Sequence, residues 1–354
     1  HLRYLLFFSI SAASLLGFTE TLTGSHAESS NVLLYGLSFY TASMAYLIAQ
    51  NKLNYQSVLS VSNPLLLSTG PIALYFKRIN YKSLRQRIEY YVPFIIVGTF
   101  MFQVVGSPLT EFFFLIDKRD VVSSLTFAAI FELFVYLNFC GLSLLIYGVF
   151  GVLGFRIPLN FRQPFSSNNI IDFWKGWHTS LSQVLKVLFY NPIRKKYSLL
   201  IALLVVYVAS AIWHGVTFNF LLWGSFHAIF FWLTIKILKQ KNSLLPLLLL
   251  PIIIVIGRLI FADSDTSRLL DKLKFSFDGF GVIDAALDVP SNSHVSLLLG
   301  ILIVACEFIF KKSKIMQKRN YKFMRTPVSL LILCTLGILF ASNVGIDYAV
   351  YGQR

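Results

Sequence analysis

The sequence predicts an all-α polytopic membrane protein, and three observations carry that reading. Hydrophobic residues fill 56% of its 354 positions and charged residues only 13%, whereas about a quarter of a soluble domain is charged. Apolar runs near the length that lets a helix cross a ~30 Å hydrocarbon core recur along the chain. The basic residues gather in short loops between those runs. A helix satisfies its own backbone hydrogen bonds in lipid, so about 9–11 transmembrane or re-entrant helices are expected.

In order, the apolar runs cover residues 4–19, 31–49, 57–76, 90–106, 121–153, 197–213, 216–235, 243–262, 295–310 and 326–346. The run 121–153 is too long for one upright span and must tilt, kink or hold two pieces. The run 57–76 contains SNP and STGP, which break a helix and predict a re-entrant or broken segment. The chain begins at His1. Leu5–Phe18 lacks a clean small-residue cleavage site and is read as a membrane helix, not a signal peptide. No repeat or flexible linker divides the sequence, so one membrane-embedded domain over residues 1–354 is expected.

The net charge of +15 raises nucleic acid as a partner, and the charge distribution argues against it. The clusters at 77–87, 194–196, 236–241 and 311–325 are separated by even numbers of apolar runs. All four therefore fall on one side, the cytoplasm under the positive-inside rule, where they also face anionic lipid. The loop 263–294, with six aspartates, then falls outside the cytoplasm. Cys140, Cys306 and Cys334 all lie in apolar runs and read as small core residues.

Residues 155–196 break the pattern of apolar runs. Pro158, Pro164 and the SSNN at 166–169 mark loops. Ser167, Asn168 or Asn169 can cap a helix starting near Ile170. From there Ile170, Phe173, Trp174, Trp177, Leu181, Leu185 and Leu188 form an apolar helical stripe. On a continuous helix His178 and Ser182 share a face, with Trp174 one turn earlier. The segment is expected to be an amphipathic helix at the cytoplasmic interface or dipping into the bundle.

His178, His214 and His227 stand in or near apolar surroundings within a fifty-residue stretch. A single intramembrane histidine is accounted for equally well by an interhelical hydrogen bond. Three of them beside a Trp-rich polar helix point to a site, because polar groups at membrane depth are costly and usually functional. No HExxH or Cys/His cluster supplies a metal cage, no GxSxG elbow a serine nucleophile, and no Walker lysine or GxGxxG loop a nucleotide cradle. A neutral histidine can act as general base on a hydroxyl, and with a thioester donor that suffices for O-acyl transfer. A second histidine or a tryptophan N–H can orient the base or hold a carbonyl oxygen.

Two blocks, NFRQPFSSNNIIDFWKGWHTSLS and AIWHGVTFNFLLWGSFHAIFFW, resemble the membrane-bound O-acyltransferase family. The resemblance is to its bacterial branch, with alginate O-acetylation and teichoic acid D-alanyl transfer proteins. YGLSFYTASMAYLI, LLSTGPIALY and GRLIFADSD match further blocks in order, from about residue 31 to the end. Gly176 stands where that branch usually has arginine, and Gln183 where tryptophan is common. The branch usually has more N-terminal helices than are seen here, which the resemblance reads as reduced or absent.

The resemblance implies helices around a central funnel or tunnel. It makes His214 of the WHG element the essential histidine and His178 of WHTSLS its catalytic partner. His227, of the family's downstream element, is a substrate-binding candidate. Trp174, Trp177, Ser182, Asn219 and Arg258 are the substrate-binding candidates, although one tryptophan can equally be an interfacial anchor and Arg258 can pair with an acid. No bound cofactor and no metal is implied. The acyl donor is acetyl-CoA or an acyl carrier protein on the cytosolic side. The acceptor is a hydroxyl of an extracytoplasmic polysaccharide or glycolipid, such as alginate-like polymer, lipopolysaccharide, peptidoglycan or teichoic acid. The bacterial inner membrane is the implied location, with envelope assembly proteins as further partners. Two other classes remain: a transporter or flippase using the histidines as a proton relay, and a non-catalytic envelope scaffold.

Overall fold

The computed structural model describes residues 28–63, 66, 71–72, 77–80, 82–117, 120–237, 244–262, 267, 269–270, 288–310 and 321–340. The expected run 4–19, half of 57–76, most of the loop 263–294 and the basic stretch 311–320 lie outside the described residues.

The described chain is helical. Helix α1 covers Glu28–Ala49 and α2 covers Tyr55–Val61. A reciprocal capping box starts α2: Ser57 N–H donates to Asn54 Oδ1 at 2.8 Å, and Asn54 N–H to Ser57 Oγ at 2.9 Å. A two-residue strand β1 (Lys77–Arg78) follows, then α3 (Leu84–Thr99). Helix α3 continues into a π-helix, Phe100–Gly106, and a 3₁₀ helix, Ser107–Asp117. The expected run 90–106 is therefore the middle of a longer helical rod. Helix α4 spans Val121–Leu153 as one 33-residue helix. It leads to β2 (Phe155–Arg156), antiparallel to β1.

Two short helices follow, α5 (Ile170–Gly176) and α6 (Thr179–Leu185), then a π-helical turn and α7 (Asn191–Arg194). The remaining helices are α8 (Leu199–His214), α9 (Phe218–Ile237), α10 (Leu245–Ala262), α11 (Ser291–Ile309) and α12 (Pro327–Phe340). Among the described residues, five helical segments are long and apolar enough to cross a bilayer: 84–115, α4, α9, α10 and α11.

The polarity of these helices is arranged as lipid demands. On α10, Leu245, Leu248, Ile252 and Ile256 form an exposed apolar stripe, while Leu250, Ile254, Arg258 and Phe261 are buried. On α11, Leu298, Ile301 and Leu302 face outward, while Ser293, Ser296, Gly300 and Glu307 are buried. Hydrocarbon is as good a solvent as another helix for leucine, so small and polar residues collect on the packed side.

The chain divides into two compact units, each discontinuous in sequence. The first takes residues 1–95, 143–162 and 174–235. Its core joins Ala42, Ala45 and Tyr46 of α1 to Leu181, Val184 and Leu185 of α6 and to Ala209 and Trp213 of α8. Gly224 of α9 lets that helix approach α8 closely, since a Cβ there would lie 2.7 Å from the Tyr207 carbonyl oxygen.

The second unit takes residues 96–142, 163–173 and 236–354. Within it Arg258 Nε meets Glu132 Oε2 at 2.5 Å, both side chains nearly fully buried. A second polar cluster joins α4 to α11 and to the turn at Tyr321. Tyr136 donates to Glu307, the Tyr136 and Tyr321 hydroxyls are 3.0 Å apart, and Cys140 Sγ lies 3.0 Å from the Tyr321 hydroxyl. Tyr321 N–H donates to Gln163 Oε1 at 3.0 Å, and Gln163 N–H to the Tyr321 hydroxyl at 3.3 Å. Buried polar groups persist in a core when networks of this kind satisfy them.

Candidate active site

The amphipathic stripe from Ile170 to Leu188 predicts one helix, and the structure breaks it in two. Asn169 caps α5, accepting the Asp172 N–H at 2.9 Å and returning its amide to the Asp172 carboxylate at 3.0 Å. The helix stops at Gly176, whose carbonyl accepts the Arg162 N–H at 2.8 Å. His178 then takes a left-handed conformation, φ 40° and ψ 55°, and caps α6. His178 is therefore not a helical residue sharing a face with Ser182. A long-range pairing with residues 159–162 causes the break, and periodicity carries no information about such a partner.

The first three N–H groups of α6 all find acceptors. A helix start leaves four N–H groups without intrahelical acceptors. Here Thr179 N–H donates to the Asn160 carbonyl at 2.8 Å, and the first intrahelical bond runs from Ser182 N–H to the His178 carbonyl at 3.0 Å. Ser180 N–H donates to Asn160 Oδ1 at 3.2 Å, and Leu181 N–H to His178 Nδ1 at 3.4 Å. The Ser180 hydroxyl also donates to Asn160 Oδ1, at 2.7 Å, and accepts the Ile72 N–H at 3.1 Å. Asn160 and Ser180, both wholly buried, were not among the sequence candidates. Asn160 opens NFRQP, the start of a block that carries the resemblance, but nothing local marks it as the acceptor for a helix start twenty residues on.

His178 is buried. Burial drives its imidazole pKa down from the usual range to about 3, and nearby His214 adds to the shift. The ring is a neutral imidazole at any physiological pH. Trp177 packs edge-on against Phe161, ring centroids 5.1 Å apart, and against Trp174 at 6.4 Å. Ser182 donates its hydroxyl to the Trp177 carbonyl at 3.3 Å.

His214 is the last residue of α8 and is half-buried. Gly215 ends the helix at φ 149°, and a Cβ there would sit 2.8 Å from the Phe220 ring. The glycine of WHG thus allows the chain to turn sharply beside the histidine and lets Phe220 fold back under it. The His214 ring lies 5.9 Å from Trp223, edge-on, and 6.3 Å from Phe220.

His227 is seated differently. It is buried among Trp174 at 5.0 Å, Trp223 at 5.2 Å and Tyr207 at 6.1 Å, stacked nearly parallel on the last. Asn219 is wholly buried in the first turn of α9. The first unit therefore gathers His178, His214, His227, Trp174, Trp177, Ser182 and Asn219. Arg258 belongs to the second unit, held by Glu132 and flanked by the Phe131 and Phe261 rings at 5.8 and 5.1 Å.

The chemistry available to such a set is proton transfer and hydrogen-bond donation by imidazoles within walls of tryptophan. A base of this kind suits abstraction of a hydroxyl proton.

Known proteins share this sequence pattern. A teichoic acid D-alanyltransferase of Bacillus subtilis is 23% identical over 185 residues, covering 46% of this chain and 47% of that protein. A probable alginate O-acetylase AlgI of Azotobacter vinelandii is 27% identical over 183 residues, covering 48% and 36%. A peptidoglycan O-acetyltransferase of Helicobacter pylori is 33% identical over 98 residues, covering 27% and 19%. The matched region spans about half the length of these relatives or less. The sequence profile of the MBOAT, membrane-bound O-acyltransferase, family matches residues 52–245, which hold every element of the first unit's histidine cluster. With more than half of its length matched and five helices among the described residues suited to crossing a bilayer, the chain is a multi-pass membrane protein that belongs to the membrane-bound O-acyltransferase family.

Proposed function

We propose that the chain catalyses O-acyl transfer in a bacterial inner membrane. The acyl group, acetyl in the simplest case, comes from a cytosolic thioester, either acetyl-CoA or an acyl carrier protein. It goes to a hydroxyl of an extracytoplasmic polysaccharide or glycolipid. The observation that supports this best is the convergence of the WHG and WHTSLS histidines in one unit, where His214 acts electrostatically on His178. The three relatives named above are a teichoic acid D-alanyltransferase, a probable alginate O-acetylase and a peptidoglycan O-acetyltransferase, which favours a glycan acceptor.

In this reading His214 removes the acceptor's hydroxyl proton as its oxygen attacks the thioester carbonyl carbon. A new C–O bond forms and the carbonyl oxygen becomes an oxyanion. The oxyanion collapses, the C–S bond breaks, and the departing thiolate takes the proton back from His214. The products are an ester and a free thiol, and both histidines end as they began. Trp174 and Trp177 wall the donor's approach, and Ser182 and Asn219 add polar lining. His227, enclosed by aromatic rings, holds α9 against Trp174 and Tyr207. Arg258 and Glu132 brace the second unit.

The test compares the O-acyl content of surface glycans, by mass spectrometry, in cells with and without the gene. Loss of one class of ester in the deletion strain, restored by the gene in trans, is the expected result. Unchanged esters on every envelope glycan would refute the reading.

A further inference from the structure

The four backbone N–H groups that open α6 fix more than a helix. Three find oxygen acceptors, two on Asn160 and one on the His178 carbonyl, and the remaining one, Leu181 N–H, has His178 Nδ1 as its acceptor. A nitrogen that accepts an N–H cannot itself carry a proton. Moving the proton to Nδ1 would set two N–H groups against each other and strand a buried backbone donor, at the cost that makes such orphans rare. The Ser180 hydroxyl adds a second neighbour to Nδ1 at 3.5 Å, and its own proton is directed to Asn160 Oδ1.

We propose that the fold itself fixes the proton of His178 on Nε2, so that this histidine serves as a hydrogen-bond donor to the acyl donor's carbonyl oxygen and not as a base, with Asn160 as the residue that positions it. The assignment of a role in acyl transfer rests on the function proposed above; the tautomer does not. The two histidines then divide the work. His214 handles the moving proton, and His178 Nε2–H meets the negative charge that develops on oxygen. Asn160 acts through His178: its carbonyl and side-chain oxygens hold Thr179 and Ser180, and so the first turn that presents Leu181 N–H to the ring. Asn160 Nδ2 is buried with no partner among the described residues, so the side chain is held from its oxygen end.

The experiment is ¹⁵N NMR of the full chain in lipid nanodiscs at neutral pH, with its six histidines labelled and the His178→Gln variant used to assign position 178. The expected spectrum shows Nδ1 as a proton-free, pyridine-type nitrogen and Nε2 as a protonated, pyrrole-type nitrogen. A proton on Nδ1, or an imidazolium at neutral pH, overturns the proposal. Asn160→Asp keeps the accepting oxygens and should keep that pattern, whereas Asn160→Leu should mix the tautomers. If Asn160→Leu keeps the wild-type pattern, Asn160 is not the positioning residue.

Activity supplies the second arm, read as the O-acetyl content of surface glycans. His178→Ala should lose about 10²–10³-fold, and His178→Gln, which retains an N–H donor, should keep about tenfold more than Ala. Equal loss in both overturns the donor role. If wild-type cells acylate nothing, the acyl-transfer reading fails while the NMR result still decides the tautomer.

Discussion

Replacing His214 with alanine should lower acyl transfer by about 10²–10⁴-fold, the usual cost of removing a positioned general base, without removing the protein from the membrane. The folding of α8 does not depend on this ring. The helix is started by the Ser198 cap, which accepts the Ile201 N–H at 3.3 Å, and its packing comes from Ala209 and Trp213 against α1 and α6 and from Leu203 and Tyr207 against Ala228 of α9. His214 stands at the helix end, half-exposed, with Trp223 and Phe220 beside it. Membrane vesicles assayed with a labelled thioester, at matched protein level, supply the measurement. Retained activity in His214→Ala would move the base elsewhere.

The second large effect is on stability. Glu132→Gln leaves the buried Arg258 guanidinium facing a neutral amide. Breaking a buried ion pair from one side costs about 3–5 kcal/mol, because the remaining charge is uncompensated. The Phe131 and Phe261 rings beside Arg258 offer it a weak quadrupole, which does not replace a carboxylate. Thermal unfolding in detergent should show a clear drop for Glu132→Gln. The double variant Glu132→Leu/Arg258→Met should recover most of it, since an apolar pair of similar volume is often neutral or better. A single variant as stable as the parent would mean that Arg258 is neutralised by another group.

What the sequence could and could not reveal follows from the range of each signal. Local signals were readable. Asn169 is one of the three expected caps and its helix begins at the next residue, Ile170, while Ser198 caps a helix from within the apolar run 197–213. The long run 121–153 is one helix, because nothing in it breaks the backbone pattern and 33 residues exceed a single upright crossing only by tilting. The helix that holds the run 90–106 extends beyond it at both ends, and Leu84–Arg87, part of the expected basic loop 77–87, lies in the exposed first turns of α3. The partner of a buried charge is a long-range fact. Glu132 and Arg258 are 126 residues apart, and Tyr136 and Glu307 are 171 apart.

The histidines of the candidate site stood out in the sequence because imidazoles are rare in lipid-facing runs. The frame that orients His178 did not. Asn160 and Ser180 are ordinary loop and cap residues until the chain brings them within 2.7 Å, and the left-handed turn at His178 contradicts the helical period on either side of it.

The central claim is that one imidazole, His214, joins a cytosolic thioester to a hydroxyl on the other side of the membrane. Sealed vesicles loaded with labelled acetyl-CoA, with a polymeric glycan acceptor outside, test it directly. The account predicts labelled ester on the external acceptor for the wild-type chain and none above background for His214→Gln. Ester formation that survives that substitution, or label that crosses the membrane without becoming an ester, would contradict it.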